Sequence, residues 1–265
     1  MSVETEIKLL NSYLKELNLA TFIRNHESYA IDAVREKHTH SRYLLALAGQ
    51  ELSQRDANRR QRRLKEAKLP TIKELNDFDF SQIPSLNQQQ ILQLAQGDYI
   101  QKAEPIILVG NPGLGKSHIA ISLAVAACRQ QHRVRFYNTA ALVNELILAQ
   151  QEQRLTKFID AALRHKLILL DELGFIPFSS TGAQLLFQFC SALYERVPMI
   201  ITTNLKFADW PQVFGDERLT LALLDRLTHK AHIIEFTGQS YRFRQRTQHA
   251  DAQLPSTHNL DDSAS

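Results

Sequence analysis

Residues 110–117 have the spacing of a phosphate-binding loop. They read Gly-Asn-Pro-Gly-Leu-Gly-Lys-Ser and match the pattern G-x-x-x-x-G-K-[ST] at every fixed position. Glycines allow backbone N–H groups to wrap closely around a phosphate, and the start of the following helix adds a partial positive charge. The segment predicted to bind a nucleotide comprises Gly110, Asn111, Pro112, Gly113, Leu114, Gly115, Lys116, Ser117 and His118.

The chemistry of phosphate transfer also needs a metal ion and a base. Lys116 is predicted to reach the β- and γ-phosphates, and Ser117 to place its hydroxyl on Mg²⁺. The apolar run 167–170 ends in Asp171 and Glu172, and the end of a buried parallel strand is where Asp171 would hold Mg²⁺. Glu172 can orient and polarise the attacking water, which favours hydrolysis of ATP over transfer to another nucleotide. The alternative for this pair is a strand that ends in solvated acids.

Two further features can take part in the same reaction. Asn204 follows another apolar run, and its amide can hydrogen-bond the attacking water or the γ-phosphate, or instead cap a helix. Arg226 lies in the amphipathic stretch 218–230, which begins at Arg218. One arginine delivered across a subunit interface would neutralise charge on a γ-phosphate, and an intramolecular salt bridge is the alternative role.

These residues need a fold that brings strand ends together. Five short apolar runs alternate with longer amphipathic stretches, of which 140–165 is long enough for two helices. The runs are 105–109, 134–137, 167–170, 199–202 and 232–236, and the stretches are 116–130, 140–165, 180–195 and 218–230. Near-continuous apolar strands separated by helices predict a parallel sheet covered on both faces, so the fold class is α/β.

The N-terminal part has a different pattern. Apolar residues recur at three- and four-residue spacing over 5–19. A second helical region runs over 29–68, is broken or eased near Gly49 and is closed by Pro70. The predicted domains are a helical N-terminal module (1–70), a connector with one helix (71–101), a nucleotide-binding domain (102–246) and a disordered polar tail (247–265).

A basic run near the end of this helical module predicts a polyanion partner. Residues 55–68 contain seven positive and two negative side chains, whereas the whole chain has a formal net charge of +3. The positive residues are Arg55, Arg59, Arg60, Arg62, Arg63, Lys65 and Lys68. We expect them to contact the DNA backbone, giving binding that depends steeply on salt and little on sequence. The alternative is a solvated helix face with partial ion pairing.

Composition excludes several classes of protein. With 44% hydrophobic and 22% charged residues in a chain of 265, a sizeable core is expected rather than disorder. The longest apolar stretch, 119–128, is about half of the 18–20 residues that a bilayer span needs, so no membrane role is expected. Charges within the first 18 residues exclude a signal peptide, which predicts the cytoplasm. Cys128 and Cys190 lack metal-binding spacing and are interpreted as reduced and buried, and His118 and His229 lack companion ligands.

In their order and spacing, four motifs resemble those of AAA+ ATPases of the initiator and helicase-loader group, which includes DnaC-like proteins. They are the phosphate loop, the acidic strand end, the Thr-Thr-Asn strand end at 202–204 and the Leu-Leu-Asp-Arg-Leu helix at 223–227. Further segments resemble the IstB-like transposition helpers of insertion sequences, over roughly residues 5–246. They are Arg-Arg-Leu-Lys-Glu-Ala-Lys-Leu-Pro at 62–70, Phe-Asp-Phe at 78–80, Trp210, Phe-Gly-Asp at 214–216 and Gly-Gln-Ser-Tyr-Arg at 238–242.

This resemblance implies a P-loop AAA+ core with a five-stranded parallel sheet between helices, a reduced or absent lid, and ATP with Mg²⁺ as cofactors. It implies a homo-oligomer with ATP at subunit interfaces that binds duplex DNA and recruits or stimulates a DDE-type transposase. By position, Asp171 is the metal ligand, Glu172 the catalytic acid and Asn204 the sensor. Arg226 is the trans-acting arginine, with Arg218 as the second choice.

Two other functions remain open from the sequence. A loader of the replicative helicase would share the ATPase core but act on a protein ring and single-stranded DNA. An ATP-gated binding module would assemble on DNA with slow hydrolysis, although the presence of Glu172 argues against a dead site.

Overall fold

The computed structural model describes residues 2–238, which divide into two compact units that meet in the chain between Arg62 and Arg63. The helices are α1 (Val3–Glu16), α2 (Ala20–Arg35), α3 (His40–Glu66), α4 (Gln88–Leu94), α5 (Asp98–Lys102), α6 (Lys116–Arg129), α7 (Thr139–Gln151), α8 (Leu155–Ala162), α9 (Ser180–Leu193), α10 (Trp210–Phe214) and α11 (Glu217–Thr228). The strands are β1 (Ile106–Gly110), β2 (Val134–Asn138), β3 (Leu167–Leu173), β4 (Met199–Thr203) and β5 (His232–Phe236).

The first unit is all-helical and buries few side chains. Its buried side chains are Leu14, Thr21, His26, Leu47 and Glu51. The Glu51 carboxylate accepts hydrogen bonds from the Thr21 backbone N–H at 2.9 Å and from the Arg55 guanidinium at 2.6 Å. The bond from Thr21 joins α2 to α3, whereas the bond from Arg55 lies within α3.

The helical break in this unit lies earlier than the sequence predicts. The expectation of one region over 29–68, broken or eased near Gly49, is wrong. The chain turns between α2 and α3, where Lys37 takes a left-handed φ of 53° and the Thr39 hydroxyl accepts the Arg42 N–H at the start of α3. Gly49 lies inside an unbroken helix, since a single glycine lowers helix stability without forbidding it.

The second unit is built on the predicted parallel sheet. The strand order is β2-β3-β4-β1-β5, and every neighbouring pair is parallel. All five apolar runs form strands, and the stretch 140–165 divides into α7 and α8 as expected. The backbone N–H of Phe136 on the edge strand β2 donates to the Ala67 carbonyl at 2.9 Å, which satisfies one group of an otherwise open edge.

Helices cover both faces of this sheet. Alternate residues of β1 point to opposite faces, so Ile106 and Leu108 belong to one apolar cluster and Ile107 to the other. The first cluster includes α6 and Ala67, with Leu64 packed against it. The C-terminal end of α3 therefore belongs to the second unit.

The connector before β1 contains two helices where the sequence predicts one. Gly97 takes a left-handed φ of 91° between α4 and α5. A side chain at this position would meet the Gln130 side chain, which donates to the Ala95 carbonyl at 2.9 Å. The contact with the end of α6 thus fixes the interruption.

The described residues end shortly after β5. The predicted tail at 247–265 and the family-like segment 239–242 lie outside them. Among the helices of residues 2–238, none has the length and apolar character required to cross a bilayer.

We predict that Glu51→Gln destabilises the first unit by about 1–3 kcal/mol at pH 7, because a charged acceptor of two hydrogen bonds is lost. Burial raises the pKa of Glu51, but hydrogen bonds from Arg55 and Thr21 outweigh it and leave the pKa below its ordinary value. The stabilisation is therefore present above about pH 4.3 and lost as the pH falls through the lower, folded-state pKa. Hydrogen–deuterium exchange of α2 and α3, compared between Glu51→Gln and wild type at pH 7 and at about pH 3, measures the difference.

The matched control is Glu27→Gln, which changes an exposed carboxylate on α2. It should leave exchange unchanged at both pH values. Equal protection of α3 in Glu51→Gln and wild type at pH 7 would contradict the prediction.

Candidate functional site

The two acidic residues of β3 lie at an irregularity in the sheet. The register between β3 and β4 shifts between Leu170 and Leu173, which is the signature of a β-bulge. Glu172 takes a left-handed φ of 60° there, a conformation that is costly for any residue except glycine and that collects at functional sites. The bulge buries Asp171 and leaves Glu172 exposed, so the two neighbouring carboxylates have different surroundings.

Asp171 is the meeting point of three elements. Its Oδ1 accepts a hydrogen bond from the Ser117 hydroxyl at 2.8 Å and from the Thr202 hydroxyl at 2.6 Å. The Thr202 Oγ1 in turn accepts the Glu172 backbone N–H at 2.9 Å. The first turn of α6, the end of β3 and the end of β4 are thereby joined through one carboxylate oxygen.

The phosphate loop is closed by its own lysine. Lys116 Nζ donates to the carbonyls of Gly110 and Asn111 at 2.6 and 2.8 Å. Gly113 and Gly115 take left-handed φ values of 79° and 85°, which the loop requires and other residues rarely adopt. Burial lowers the pKa of Lys116 from its ordinary value, and the nearby Asp171 and Glu172 carboxylates oppose this shift.

A cleft of about 730 Å³ lies beside this loop, at the carboxyl ends of the strands. The predicted residues that line it are Pro112, Gly113, Leu114, Gly115, Lys116, Ser117, His118, Asp171, Glu172 and Asn204. Gly110 and Asn111 contribute instead through the carbonyls that hold Lys116. The structure thus gathers the predicted loop, acids and amide at one site.

Sequence reasoning missed two residues of this site. Thr202 is 1% exposed and holds both Asp171 and Glu172, although only Asn204 of the same strand end was singled out. Asn138, at the end of β2, donates from Nδ2 to Glu172 Oε2 at 3.1 Å. Both are polar residues at the carboxyl ends of predicted parallel strands, and that signal alone could have found them.

The connector also lines the cleft, which the sequence did not indicate. Phe78 lies edge-on to His118 and to Phe80, with ring centroids 5.3 and 4.9 Å apart. A Cβ at Gly115 would lie 2.6 Å from the Phe78 ring. The phosphate loop and the Phe-Asp-Phe segment therefore pack too closely for a side chain at Gly115.

Glu74 fixes this connector along α6. Its carbonyl accepts the His118 Nε2–H at 3.1 Å, and its carboxylate pairs with Arg129. His118 is in the first turn of α6 and Arg129 is its last residue. One connector residue thereby contacts both ends of the helix that begins at the phosphate loop.

The site fits a nucleotide with Mg²⁺. Lys116 has three donors, of which two go to loop carbonyls, so one remains for a phosphate. A hydroxyl and a carboxylate, as in Ser117 and Asp171, are hard oxygen ligands of the kind that Mg²⁺ takes together with substrate phosphates. Residues 2–238 hold no group of three or more His, Cys, Asp or Glu side chains able to hold a metal, and such a Mg²⁺ site does not require one.

The two candidate arginines lie on α11 and do not line this cleft. Arg218 is exposed near the start of the helix. Arg226 is half-buried, donates to the Ser191 hydroxyl at 3.1 Å and lies over the Phe187 ring. The alternative role of Arg226, an intramolecular salt bridge, is not seen within residues 2–238, where its contacts are with neutral groups.

Two members of the basic run, Arg55 and Arg63, make specific contacts within the chain. Arg55 pairs with buried Glu51 and donates to the Asn18 carbonyl at 2.9 Å. Arg63 donates to the Gln131 carbonyl at 3.2 Å and pairs with Glu66. The remaining members are exposed: Arg59, Arg60, Arg62, Lys65 and Lys68.

The fold and the site together define a nucleotide-binding protein of the AAA+ class. The AMPPCP-bound DnaA of Aquifex aeolicus has the same fold, with a TM-score of 0.53 at 16% identity over 69% of this chain and 56% of that one. Residues 12–249 match the family described as IstB-like ATP binding protein, and the chain belongs to that family.

Two relatives are also named as ATP-binding proteins of insertion sequences. An ATP-binding protein of insertion sequence IS21 from Pseudomonas aeruginosa is 34% identical over 241 residues, covering 91% of this chain and 90% of that one. An ATP-binding protein of insertion sequence IS5376 from Geobacillus stearothermophilus is 32% identical over 237 residues, covering 89% and 94%. The resemblance drawn from the sequence motifs is confirmed.

We predict that Gly115→Ala raises the dissociation constant for an ATP analogue by about tenfold or more, because a left-handed alanine costs about 1–2 kcal/mol and its Cβ would meet Phe78. Isothermal titration calorimetry measures the affinity. Gly49→Ala is the control, since no atom lies within 4 Å of a Cβ at that helical position. Unchanged affinity in Gly115→Ala would contradict the role of the loop conformation.

Proposed function

We propose that this chain is an ATP-dependent, DNA-binding transposition helper. It binds ATP with Mg²⁺ in the cleft, hydrolyses ATP, assembles as a homo-oligomer on duplex DNA in the cytoplasm and recruits or stimulates a DDE-type transposase. The observation that carries the enzymatic part is the Asp171 carboxylate, which accepts from Ser117 and Thr202 beside the phosphate loop.

The proposed chemistry assigns each residue a separate task. Lys116 directs its remaining N–H donor at the bound phosphates. Ser117 and Asp171 would hold Mg²⁺, which would neutralise phosphate charge. Glu172 accepts a proton from the attacking water through a carboxylate oxygen. Its Oε2 is occupied by the Asn138 amide, which leaves Oε1 for that water and fixes the carboxylate plane. Asn204 senses the γ-phosphate from the end of β4.

The names of the relatives support a role in transposition. Both relatives described above are ATP-binding proteins of insertion sequences, and each covers about nine-tenths of this chain. An insertion sequence needs a transposase, so a transposase is the partner that this context favours. The likeness to DnaA concerns the fold alone and does not favour a replicative helicase loader.

Hydrolysis is tested by separating binding from chemistry. We expect Lys116→Ala to lose measurable ATP binding, because the buried ammonium that faces the phosphates is gone. We expect Glu172→Gln to bind ATP as wild type does and to lose hydrolysis by about 100-fold or more, the usual contribution of a general base. Nucleotide affinity and phosphate release are measured on each variant.

The controls remove the same groups elsewhere. Lys157→Ala changes an exposed lysine of α8, and Glu235→Gln changes an exposed glutamate of β5. Both should bind and hydrolyse ATP normally. Turnover that is equally fast in wild type and Glu172→Gln would remove the enzymatic proposal, and background turnover in wild type with saturating duplex DNA would favour an ATP-gated binding module.

The exposed part of the basic run is proposed to bind the DNA backbone. Arg60 and Lys65 are exposed, whereas Arg55 and Arg63 have intramolecular partners that compete with phosphate. Contacts to phosphate release counterions, so binding weakens as salt rises. Such contacts carry no sequence information, which predicts similar affinity for unrelated duplexes.

We predict that Arg60→Ala/Lys65→Ala weakens binding to duplex DNA and reduces the slope of log affinity against log salt by about 2, one for each phosphate contact removed. Fluorescence anisotropy with an ATP analogue at several salt concentrations measures both quantities. The matched control is Arg42→Ala/Lys15→Ala, which removes the same charges at exposed positions outside the run.

Two results would contradict this proposal. A salt slope that is identical in the basic-run variant and wild type would remove the role of these residues. Preference for single-stranded DNA over duplex would favour the helicase loader instead.

A further inference from the structure

Arg226 is held by two side chains of a neighbouring helix. Its Nη1 donates to the Ser191 hydroxyl at 3.1 Å, and its guanidinium carbon lies 4.7 Å from the centroid of the Phe187 ring. Phe187 and Ser191 are four residues apart on α9, so they lie on the same face of that helix. A ring face and a hydroxyl fix the plane of a guanidinium without neutralising its charge.

The cavity beside Arg226 carries more positive than negative side chains. It lines a cavity of about 230 Å³ together with Lys102 and Lys230. The other polar groups of this cavity are Tyr194, Glu195 and His229, and the Tyr194 hydroxyl is 3.0 Å from His229 Nδ1. Within residues 2–238, no carboxylate lies at ion-pair distance from the Arg226 guanidinium, and one of its five N–H donors is used by Ser191.

The position of the cavity separates Arg226 from the nucleotide cleft of its own subunit. The cavity is lined by Pro105, which precedes β1, and by Met199, which begins β4. The cleft lies at the opposite ends of these strands. Since five residues of strand span roughly 16 Å, Arg226 faces away from its own phosphate loop. A phosphate bound by the loop of the same chain is therefore out of reach of Arg226.

We propose that Phe187 and Ser191 are positioning residues that hold Arg226 ready to contact the terminal phosphate of a nucleotide bound by a second copy of this chain. The inference rests on the proposed ATPase function. It selects Arg226 over Arg218, because Arg218 is exposed near the start of α11 and no such pair of contacts orders it. An arginine that is already ordered loses less conformational freedom when it binds.

Mixed oligomers test this inference without changing the reacting site. Acceptor subunits carry Arg226→Ala, with an intact cleft and intact α9, and hydrolyse ATP only if a neighbour supplies the arginine. Donor subunits carry Glu172→Gln, which stops their own hydrolysis but retains Arg226. A second donor carries Glu172→Gln/Ser191→Ala, and a third carries Glu172→Gln/Phe187→Leu.

We expect the first donor to restore phosphate release in the mixture. The second and third donors should restore about 2- to 10-fold less, the size expected when one long side chain must be ordered upon contact. A donor with Glu172→Gln/Phe187→Tyr should recover most of the loss, since the ring face is retained. Affinity for an ATP analogue should be the same in every mixture, because no donor change touches the acceptor cleft.

Each other outcome has one meaning. Equal rescue by all donors overturns the role of Phe187 and Ser191. No rescue by any donor, while wild type hydrolyses ATP, overturns the contact of Arg226 with a second copy. Absence of hydrolysis in wild type defeats the proposed ATPase function itself. Thermal unfolding and co-assembly of each donor, measured by calorimetry and analytical ultracentrifugation, show that a reduced rescue does not come from unfolded or unassembled donor.

Discussion

The nucleotide cleft depends on the hydrogen bonds to one oxygen of Asp171. Ser117 and Thr202 both donate to this oxygen, which joins the start of α6 to the ends of β3 and β4. A buried carboxylate is tolerable only when hydrogen bonds or a cation satisfy it. The same oxygen therefore joins the carboxyl ends of two interior strands to the phosphate loop. The irregularity between Leu170 and Leu173 lies at this point, where Asp171 is buried and Glu172 is exposed.

The helix that begins at the phosphate loop is held along its length by the connector. Glu74 contacts His118 at the start of α6 and Arg129 at its end, while Phe78 covers Gly115. The segment that leads from α3 to the sheet is thus part of the cleft wall.

Much of the fold followed from hydrophobic pattern. The five strands and the helices between them appear where the apolar runs and amphipathic stretches predict them, because strands buried on both faces need nearly continuous apolar sequence. The predicted helix boundary was wrong where the local sequence does not distinguish a helix interior from a helix end. Gly49 lies inside a helix although glycine often ends one. Lys37 follows the end of a helix in a left-handed conformation that a lysine in the sequence does not predict.

The sequence by itself determined the phosphate loop, the two acids of β3 and the α/β class, because each depends on residue types at short, fixed spacing. Only the tertiary structure decided that Thr202 and Asn138 orient the acids, that Phe78 lines the cleft and that Phe187 and Ser191 hold Arg226. These contacts join residues from different elements, and their partners are set by how helices and strands pack. The periodicity of one segment does not predict which side chain of another segment will pack against it.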